Sequence, residues 1–208
     1  MILKNKEKKM IIVGVGVGPK MLTAEGIEAI QKASVVYGSG RALELAMGYI
    51  PKGTPIDTIK DYKNIHLLPK DAVVLSTGDP MFSGLGKFAT ERDIIIPGIS
   101  SFQVACARLH VSLTNFSCIT AHGRPEIDSA KKELIQEIKL GKNIFLLPDE
   151  KFGSAEVCDV LKEMGVSCDV YSLEELGYPE ERIVKGDVEN PPVSVSELYG
   201  LMIVLEKI

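Results

Sequence analysis

The sequence predicts an α/β protein made of two α/β domains. In the first half of the chain, short apolar runs alternate with helix-like stretches, a pattern typical of parallel sheets with right-handed crossovers. Three glycine-bearing turns directly follow apolar runs, and sites in such sheets gather at the carboxyl ends of the strands. A turn at residues 111–115 precedes a second series of strands and helices. We therefore predict domains at residues 1–111 and 112–208.

The first domain is expected to start, after a basic tail at residues 1–10, with a buried strand at residues 10–15, an apolar run closed by glycines. Thr23 is a candidate N-cap for a helix that extends to Lys32, with Glu25 placed favourably in its first turn. Further strands are predicted at residues 34–37, 72–76 and 94–96. Further helices are predicted at residues 41–47, at 82–90, and from Ser100 or Ser101 to about Leu109.

The second domain is expected to begin with a strand at residues 116–121, which leads into His122-Gly123-Arg124-Pro125. Its other elements follow from the same apolar patterns: strands at 143–147 and 167–171, and helices at 129–140 and 154–164. Residues 182–187 and 200–206 are predicted to close the sheet as an antiparallel pair at its end.

The composition argues against several classes of protein. A net charge of -4 lacks the basic field that nucleic-acid binding needs. No segment approaches the ~18 consecutive apolar residues of a membrane span, and the run at 11–13 is too short for a signal peptide, so we expect a cytoplasmic protein. The four cysteines form no CxxC pair and the three histidines lie far apart, which predicts structural thiols and no metal site.

The first glycine turn has the sequence GVGVGP at residues 14–19. It departs from the dinucleotide fingerprint because Pro19 replaces the last glycine, and the second strand ends without an acidic residue. A phosphate-binding P-loop is also excluded, because Lys20 is followed by Met21 rather than by Ser or Thr. Two interpretations remain: a backbone that approaches a ligand closely, or a tight strand-to-helix turn.

The second and third turns carry polar side chains. In the sequence STGDPMF at 76–82, Asp79 either accepts hydrogen bonds from an amino or hydroxyl group of a ligand or forms an Asx turn. In PGISS at 97–101, Ser100 and Ser101 either cap the following helix or offer hydroxyl groups to a ligand.

The fourth motif is AHGRP, at the end of the first strand of the second domain. His122 is a candidate general base, an anion donor or a surface residue. Arg124 suits a carboxylate, because its guanidinium binds such groups with two parallel hydrogen bonds.

Five motifs in this order resemble the tetrapyrrole methylases, the S-adenosylmethionine-dependent methyltransferases of corrin synthesis. They are GVGVGPKMLT, VVYGSGR, STGDPMFSGLG, PGISSFQVACARL and LLPD, and the resemblance extends from Ile11 to about Leu205. Within the family, AHGRP resembles the branch that methylates carbon 5 of cobalt-precorrin-7.

The resemblance implies two α/β domains with a cofactor cleft between them, in a protein that usually forms a homodimer. It implies S-adenosylmethionine contacts at Val17, Gly78, Asp79, Phe82, Ser100, Ser101 and Leu147. It places the tetrapyrrole near Gly14, Gly16 and Gly18. Since this small-molecule substrate carries acetate and propionate groups, we expect cations at its site, and the candidates are Lys20, Arg41 and Arg124. His122 and Arg124 are the candidate catalytic residues.

Three alternatives stay open at this point. The acceptor could differ, as in same-fold enzymes that act on another precorrin position or on diphthine. The chain could also be a non-catalytic module beside another corrin enzyme, for example a separate enzyme that methylates carbon 15 and decarboxylates. A nicotinamide or nucleotide enzyme is disfavoured by Pro19 and the missing acidic residue.

Overall fold

The computed structural model describes residues 9–205. Of the predicted tail, only Lys9 and Met10 are among the described residues. Glu206, at the end of the last predicted strand, lies outside them. The chain divides into two compact units, Met1–Ser100 and Ser101–Ile208. No helix in the described part is long and apolar enough to cross a membrane.

The first unit contains a parallel sheet, as predicted, with five strands where four were predicted. The strands are β1 (Ile11–Gly14), β2 (Val36–Gly38), β3 (Ile56–Thr58), β4 (Val73–Ser76) and β5 (Ile94–Ile96), in the order β3-β2-β4-β1-β5. The helices are α1 (Ala24–Gln31) and α2 (Gly40–Ala46), with 3-10 helices at Met47–Tyr49, Tyr62–Leu67 and Leu85–Phe88. All five strands therefore end at the same edge of the sheet.

Both faces of this sheet are covered, which explains why its central strands β1 and β4 are almost entirely apolar, with Ser76 the exception at the end of β4. Val13 and Leu75 pack on one side with Ile30 of α1, whereas Ile12 and Val74 pack on the other. The predicted N-cap of α1 is confirmed, because the Thr23 hydroxyl accepts a hydrogen bond from Gly26 N at 3.1 Å.

The predicted helix at residues 82–90 is wrong in its extent. Only the 3-10 turn Leu85–Phe88 forms. Ser83 has a φ of 57°, which an α-helix cannot contain, and the N–H of Gly86 donates to the carbonyl oxygen of Pro80 rather than to an α-helical partner. Strand β3 was not predicted, because its three residues are all exposed and give no apolar alternation.

The second unit contains a mixed sheet. Its strands are β6 (Phe116–Thr120), β7 (Asn143–Leu147), β8 (Cys168–Glu174), β9 (Arg182–Asp187) and β10 (Tyr199–Leu205), in the order β6-β7-β10-β8-β9. Only β6 and β7 pair in parallel; the other pairs are antiparallel. The helices are α3 (Ser101–Leu109), α4 (Asp128–Lys139) and α5 (Ser154–Glu163).

The predicted pairing of the last two strands is wrong. β8 lies between β9 and β10, and β10 occupies the middle of the sheet. Burial explains this order: β10 carries apolar residues on both faces, with 200–203 all buried, and so needs neighbours and cover on every side. β9 instead has only half-buried and exposed residues, which suits an edge.

Helix α3 accounts for the position at which the chain divides. The ring of Phe102 packs against Phe116, with centroids 5.2 Å apart, and against Phe145, with centroids 5.5 Å apart. These aromatic contacts join α3 to the sheet of the second unit. The division after Ser100 and the boundary predicted at residue 111 thus differ by this one helix.

Candidate functional site

The three glycine turns of the first unit are joined by backbone hydrogen bonds. The glycine turns are defined as residues 14–18, 77–82 and 97–100. Gly78 N donates to Gly16 O at 2.8 Å and Gly16 N donates to Gly78 O at 3.2 Å, which links the first turn to the second. Val17 N donates to Ile99 O at 3.0 Å and links the first turn to the third. The prediction that these turns lie along one edge of the sheet is therefore confirmed.

Two of the glycines, Gly14 and Gly98, are required because the turns contact each other through their backbones. A Cβ on Gly98 would lie 2.2 Å from Gly78 O, and one on Gly14 would lie 2.5 Å from Gly98 N. Gly78 differs: its Cβ would meet open space, but its φ of 68° favours glycine. At Gly14 and Gly98 the close approach is thus between the backbones of the turns themselves, which the sequence did not predict.

Asp79 connects two of the turns through its side chain. Its Oδ1 accepts a hydrogen bond from Met81 N at 2.8 Å, which is the Asx turn considered above. Its Oδ2 accepts a hydrogen bond from Gly98 N at 3.1 Å, in the third turn. The carboxylate is therefore part of the scaffold of this edge, whatever else it contacts.

The surface of the glycine turns combines apolar and polar groups. Met81 is 64% exposed and Ile99 is 37% exposed, whereas Ser100 is buried. Phe82 and Val17 are half-buried. Buried Ser76, which sequence reasoning did not select, supports the second turn, because its Oγ accepts a hydrogen bond from Leu85 N at 3.2 Å. Apolar surface with a few fixed polar groups is typical of a small-molecule site.

The two cationic residues of the first unit that are predicted to bind the substrate also lie after the carboxyl ends of strands. Lys20 is exposed and lies two residues beyond the first turn, with a φ of 65° that is strained for a residue with a side chain. Arg41 is half-buried in the first turn of α2, directly after β2. Both residues are therefore at the same edge of the sheet as the glycine turns.

The second unit brings two predicted site residues together. The carbonyl oxygen of Leu147, at the end of β7, accepts hydrogen bonds from Ala121 N at 2.8 Å and from His122 N at 3.3 Å. Since β6 and β7 are parallel, His122 and Leu147 lie at the carboxyl ends of the same strand pair. The imidazole of His122 is exposed.

Arg124 already has partners within its own unit. Its Nη2 lies 2.7 Å from the carboxylate of Glu133, and its Nη1 donates to the Ser129 hydroxyl at 3.2 Å. Both partners belong to α4, so the guanidinium ties the turn that carries His122 to this helix. Glu133 gave no signal in the sequence, because it is one of several acidic residues on an amphipathic helix.

Three of the four cysteine thiols are poor nucleophiles. Burial raises the pKa of Cys106, Cys118 and Cys158 to about 11, so these groups are protonated at neutral pH. Within residues 9–205, no group of three or more His, Cys, Asp and Glu side chains is arranged to hold a metal ion.

The chain is similar in sequence to known methyltransferases. A protein named probable cobalt-precorrin-7 C(5)-methyltransferase, from Methanocaldococcus jannaschii, is 36% identical over 189 residues, which are 83% of this chain and 86% of that protein. Precorrin-6Y C(5,15)-methyltransferase (decarboxylating) from Sinorhizobium is 28% identical over 183 residues, which are 81% of this chain but 43% of that protein.

The fold is also that of a solved methylase. The crystal structure of cobalamin biosynthesis precorrin-6Y methylase from Archaeoglobus fulgidus superposes with a TM-score of 0.74 and 30% identity, over 97% of this chain and all of that one. The sequence pattern of the tetrapyrrole (corrin/porphyrin) methylases matches residues 9–192, a span that includes all three glycine turns and His122. The chain thus belongs to the tetrapyrrole methylase family.

Proposed function

We propose that this protein is an S-adenosylmethionine-dependent C-methyltransferase that methylates carbon 5 of cobalt-precorrin-7 in cobalamin biosynthesis. The observation that carries the proposal is the set of three interlocked glycine turns at the carboxyl edge of the first sheet, in a chain that belongs to the tetrapyrrole methylases. The names of the Methanocaldococcus and Archaeoglobus proteins support the reaction and the acceptor.

The composition of the glycine turns fits this cofactor. S-adenosylmethionine carries a sulfonium cation and no phosphate. The three turns contain one carboxylate, Asp79, and no Lys or Arg, so their charge favours a cation over a phosphate. The proposed contacts in the first unit are Val17, Gly78, Asp79, Phe82 and Ser100. Ser101 and Leu147 of the second unit complete the set that the family resemblance predicts.

The chemistry that the bound cofactor supplies is an electrophilic methyl group. The protein must then hold the acceptor carbon in line with that group and exclude water. The glycine turns suit this task because their backbones are fixed to each other and do not need to be ordered on binding. Such positioning can contribute about 7–11 kcal/mol to catalysis.

The acceptor requires cations and a base. Lys20, Arg41 and Arg124 are proposed to meet its acetate and propionate groups, and Gly14, Gly16 and Gly18 to lie near its ring. Arg124 can do so only in competition with Glu133, or with that carboxylate as a shared neighbour. His122 is proposed to remove the proton that leaves after methyl transfer, because its imidazole is exposed at a strand end.

The proposal includes partners and a location. A homodimer is expected from the family resemblance, and a cytoplasmic location is proposed with it. The Sinorhizobium relative is named for reactions at carbons 5 and 15, and this chain spans less than half of its length. The name of this relative supports the proposal of a partner enzyme that methylates carbon 15 and decarboxylates.

The test combines cofactor binding with turnover. Calorimetric titration with S-adenosylhomocysteine should show saturable binding, which Ser100→Ala weakens. Ser34→Ala is the matched control, because Ser34 lies before β2, away from the carboxyl edge, and its hydroxyl donates only to an exposed carbonyl. Cobalt-precorrin-7 should then gain one methyl group by mass spectrometry. Binding without transfer to this acceptor would instead favour another precorrin position, diphthine or a non-catalytic module.

A further inference from the structure

Asp79 is the side chain that joins the second glycine turn to the third. Its two carboxylate oxygens are divided between the turns: Oδ1 accepts from Met81 N at 2.8 Å, and Oδ2 accepts from Gly98 N at 3.1 Å. Gly98 lies nineteen positions after Asp79 in the sequence. The hydrogen bond therefore links the two ends of a long segment, at the edge where the cofactor is proposed to bind.

Gly98 is where this bond has its effect. The residue is buried and its backbone contacts Gly14 and Gly78, so closely that no Cβ fits. A buried N–H that loses its acceptor is costly, and the turn would have to move to find another. Ser100, a proposed cofactor contact, lies two residues further along this turn, so its position depends on that of Gly98.

We propose that Asp79 is a positioning residue that acts through Gly98: it clamps the third glycine turn in place and so sets the position of Ser100. This inference rests on the proposed function, because it assumes that the third turn binds the cofactor. It differs from a direct contact in what it requires of the side chain. A direct contact with the ammonium group of the cofactor, which S-adenosylhomocysteine also carries, requires the negative charge, whereas the clamp requires two hydrogen-bond acceptors.

Two substitutions separate these requirements. Asp79→Asn removes the charge but keeps one acceptor oxygen, so it can satisfy only one of the two N–H groups. Asp79→Ala removes both acceptors. Asp93→Ala is the matched control, because Asp93 forms a similar turn in the same unit: its Oδ2 accepts from Thr90 N at 2.7 Å and from Thr90 Oγ1 at 2.8 Å, before β5 rather than after it.

The experiment measures amide hydrogen exchange at Gly98 in the ligand-free protein by NMR, together with calorimetric affinity for S-adenosylhomocysteine. We expect the exchange rate and the dissociation constant to rise together, most in Asp79→Ala, by about tenfold or more, and less in Asp79→Asn. Asp93→Ala should change neither. Should Asp79→Ala fail to fold, Asp79→Asn and the control still test the correlation.

Two results would overturn the inference. One is weaker S-adenosylhomocysteine binding in both Asp79 variants with unchanged exchange at Gly98, which would indicate direct contact through the charge. The other is faster exchange at Gly98 with unchanged affinity, which would show that the clamp does not position the cofactor site. Absence of S-adenosylhomocysteine binding by the wild type, with exchange at Gly98 still dependent on Asp79, would contradict the proposed function and leave the clamp intact.

Discussion

The backbone N–H of His122 donates to the carbonyl oxygen of Leu147 at 3.3 Å, and this bond fixes the strand end from which the imidazole projects. The side chain itself takes no part in the bond and is exposed. The position of His122 is thus set by the backbone, which leaves its ring nitrogens available for a substrate.

Replacing His122 by Ala should lower turnover without destabilising the fold. A general base typically contributes about 10²–10⁴-fold, so kcat at saturating tetrapyrrole should fall within that range. The melting temperature should stay unchanged, because the imidazole is exposed. His66→Ala, which removes another exposed imidazole, is the control. Unchanged turnover in His122→Ala would mean that the proton leaves by another route.

The ion pair of Arg124 and Glu133 predicts opposite effects of two substitutions. Arg124→Ala should raise KM for the tetrapyrrole far more than for S-adenosylmethionine, because it removes a cation that meets the acceptor. Glu133→Gln should lower KM for the tetrapyrrole, because it removes a carboxylate that competes for the guanidinium. Stability should change by about 1 kcal/mol or less in Glu133→Gln, since both side chains are partly exposed.

Steady-state kinetics with each substrate varied in turn checks this prediction. Glu28→Gln, which breaks the exposed pair of Glu28 and Lys32, is the control for loss of a surface charge. Equal increases in both KM values for Arg124→Ala would show that Arg124 only supports the turn that carries His122.

Glycine substitutions in the turns should differ in cost according to space. Gly98→Ala places a Cβ 2.2 Å from a backbone oxygen, and overpacking of this kind costs about 1–3 kcal/mol or more. The Cβ of Gly78→Ala meets no neighbour, but the residue must adopt a positive φ, which costs about 1–2 kcal/mol of stability. Gly48→Ala, with open space and no positive φ, should be neutral or slightly stabilising. Urea unfolding of the three variants checks the order, and a Gly98→Ala variant as stable as Gly48→Ala would contradict it.

Lys20 combines strain with a proposed function. Its φ of 65° suits glycine, so Lys20→Gly should relieve strain and raise stability by up to about 1 kcal/mol. The same substitution should raise KM for the tetrapyrrole, because it removes a cation. Lys20→Ala, which keeps the strain and loses the charge, should raise KM equally without the gain in stability. An unchanged KM for the tetrapyrrole in both variants would show that Lys20 does not belong to the substrate site.

Glu174 predicts an acid-sensitive second unit. Burial opposes ionisation of this carboxyl, but hydrogen bonds from Val195 N and Ser196 N and the guanidinium of Arg182 outweigh it, so its pKa lies below the ordinary value of 4.5. A lowered native pKa stabilises the fold above the unfolded-state value of 4.5, and this stabilisation is lost as the pH falls through the native pKa.

Glu174→Gln should therefore lower stability at pH 7 by about 1–3 kcal/mol and flatten the loss of stability below pH ~4.5. Denaturant unfolding between neutral and acid pH measures both effects. Glu180→Gln, at an exposed side chain, should leave the profile as in the wild type. An unaltered acid limb in Glu174→Gln would assign the acid sensitivity to other carboxyl groups.

Local patterns were sufficient to predict most of the elements. The apolar runs gave the strands of the first sheet other than β3, and Thr23 marked the start of α1. They were sufficient because a buried parallel strand needs apolar residues at nearly every position, and a helix end needs a capping group. The exposed strand β3 and the non-helical segment around Ser83 could not be predicted in this way, since neither carries such a pattern.

The sequence by itself determined the family, the parallel first sheet and the edge at which the glycine turns lie, because these depend on residues close together in the chain. Only the tertiary structure decided that β10 lies in the middle of its sheet, that Arg124 faces Glu133, and that Asp79 holds Gly98. Each of these relates separate elements of the fold: β10 lies beside strands that are distant in the sequence, Asp79 and Gly98 are nineteen positions apart in two turns, and Arg124 lies in a turn nine positions before Glu133 of α4. No local preference encodes such contacts, because they arise when buried polar groups must find partners and apolar faces must find cover.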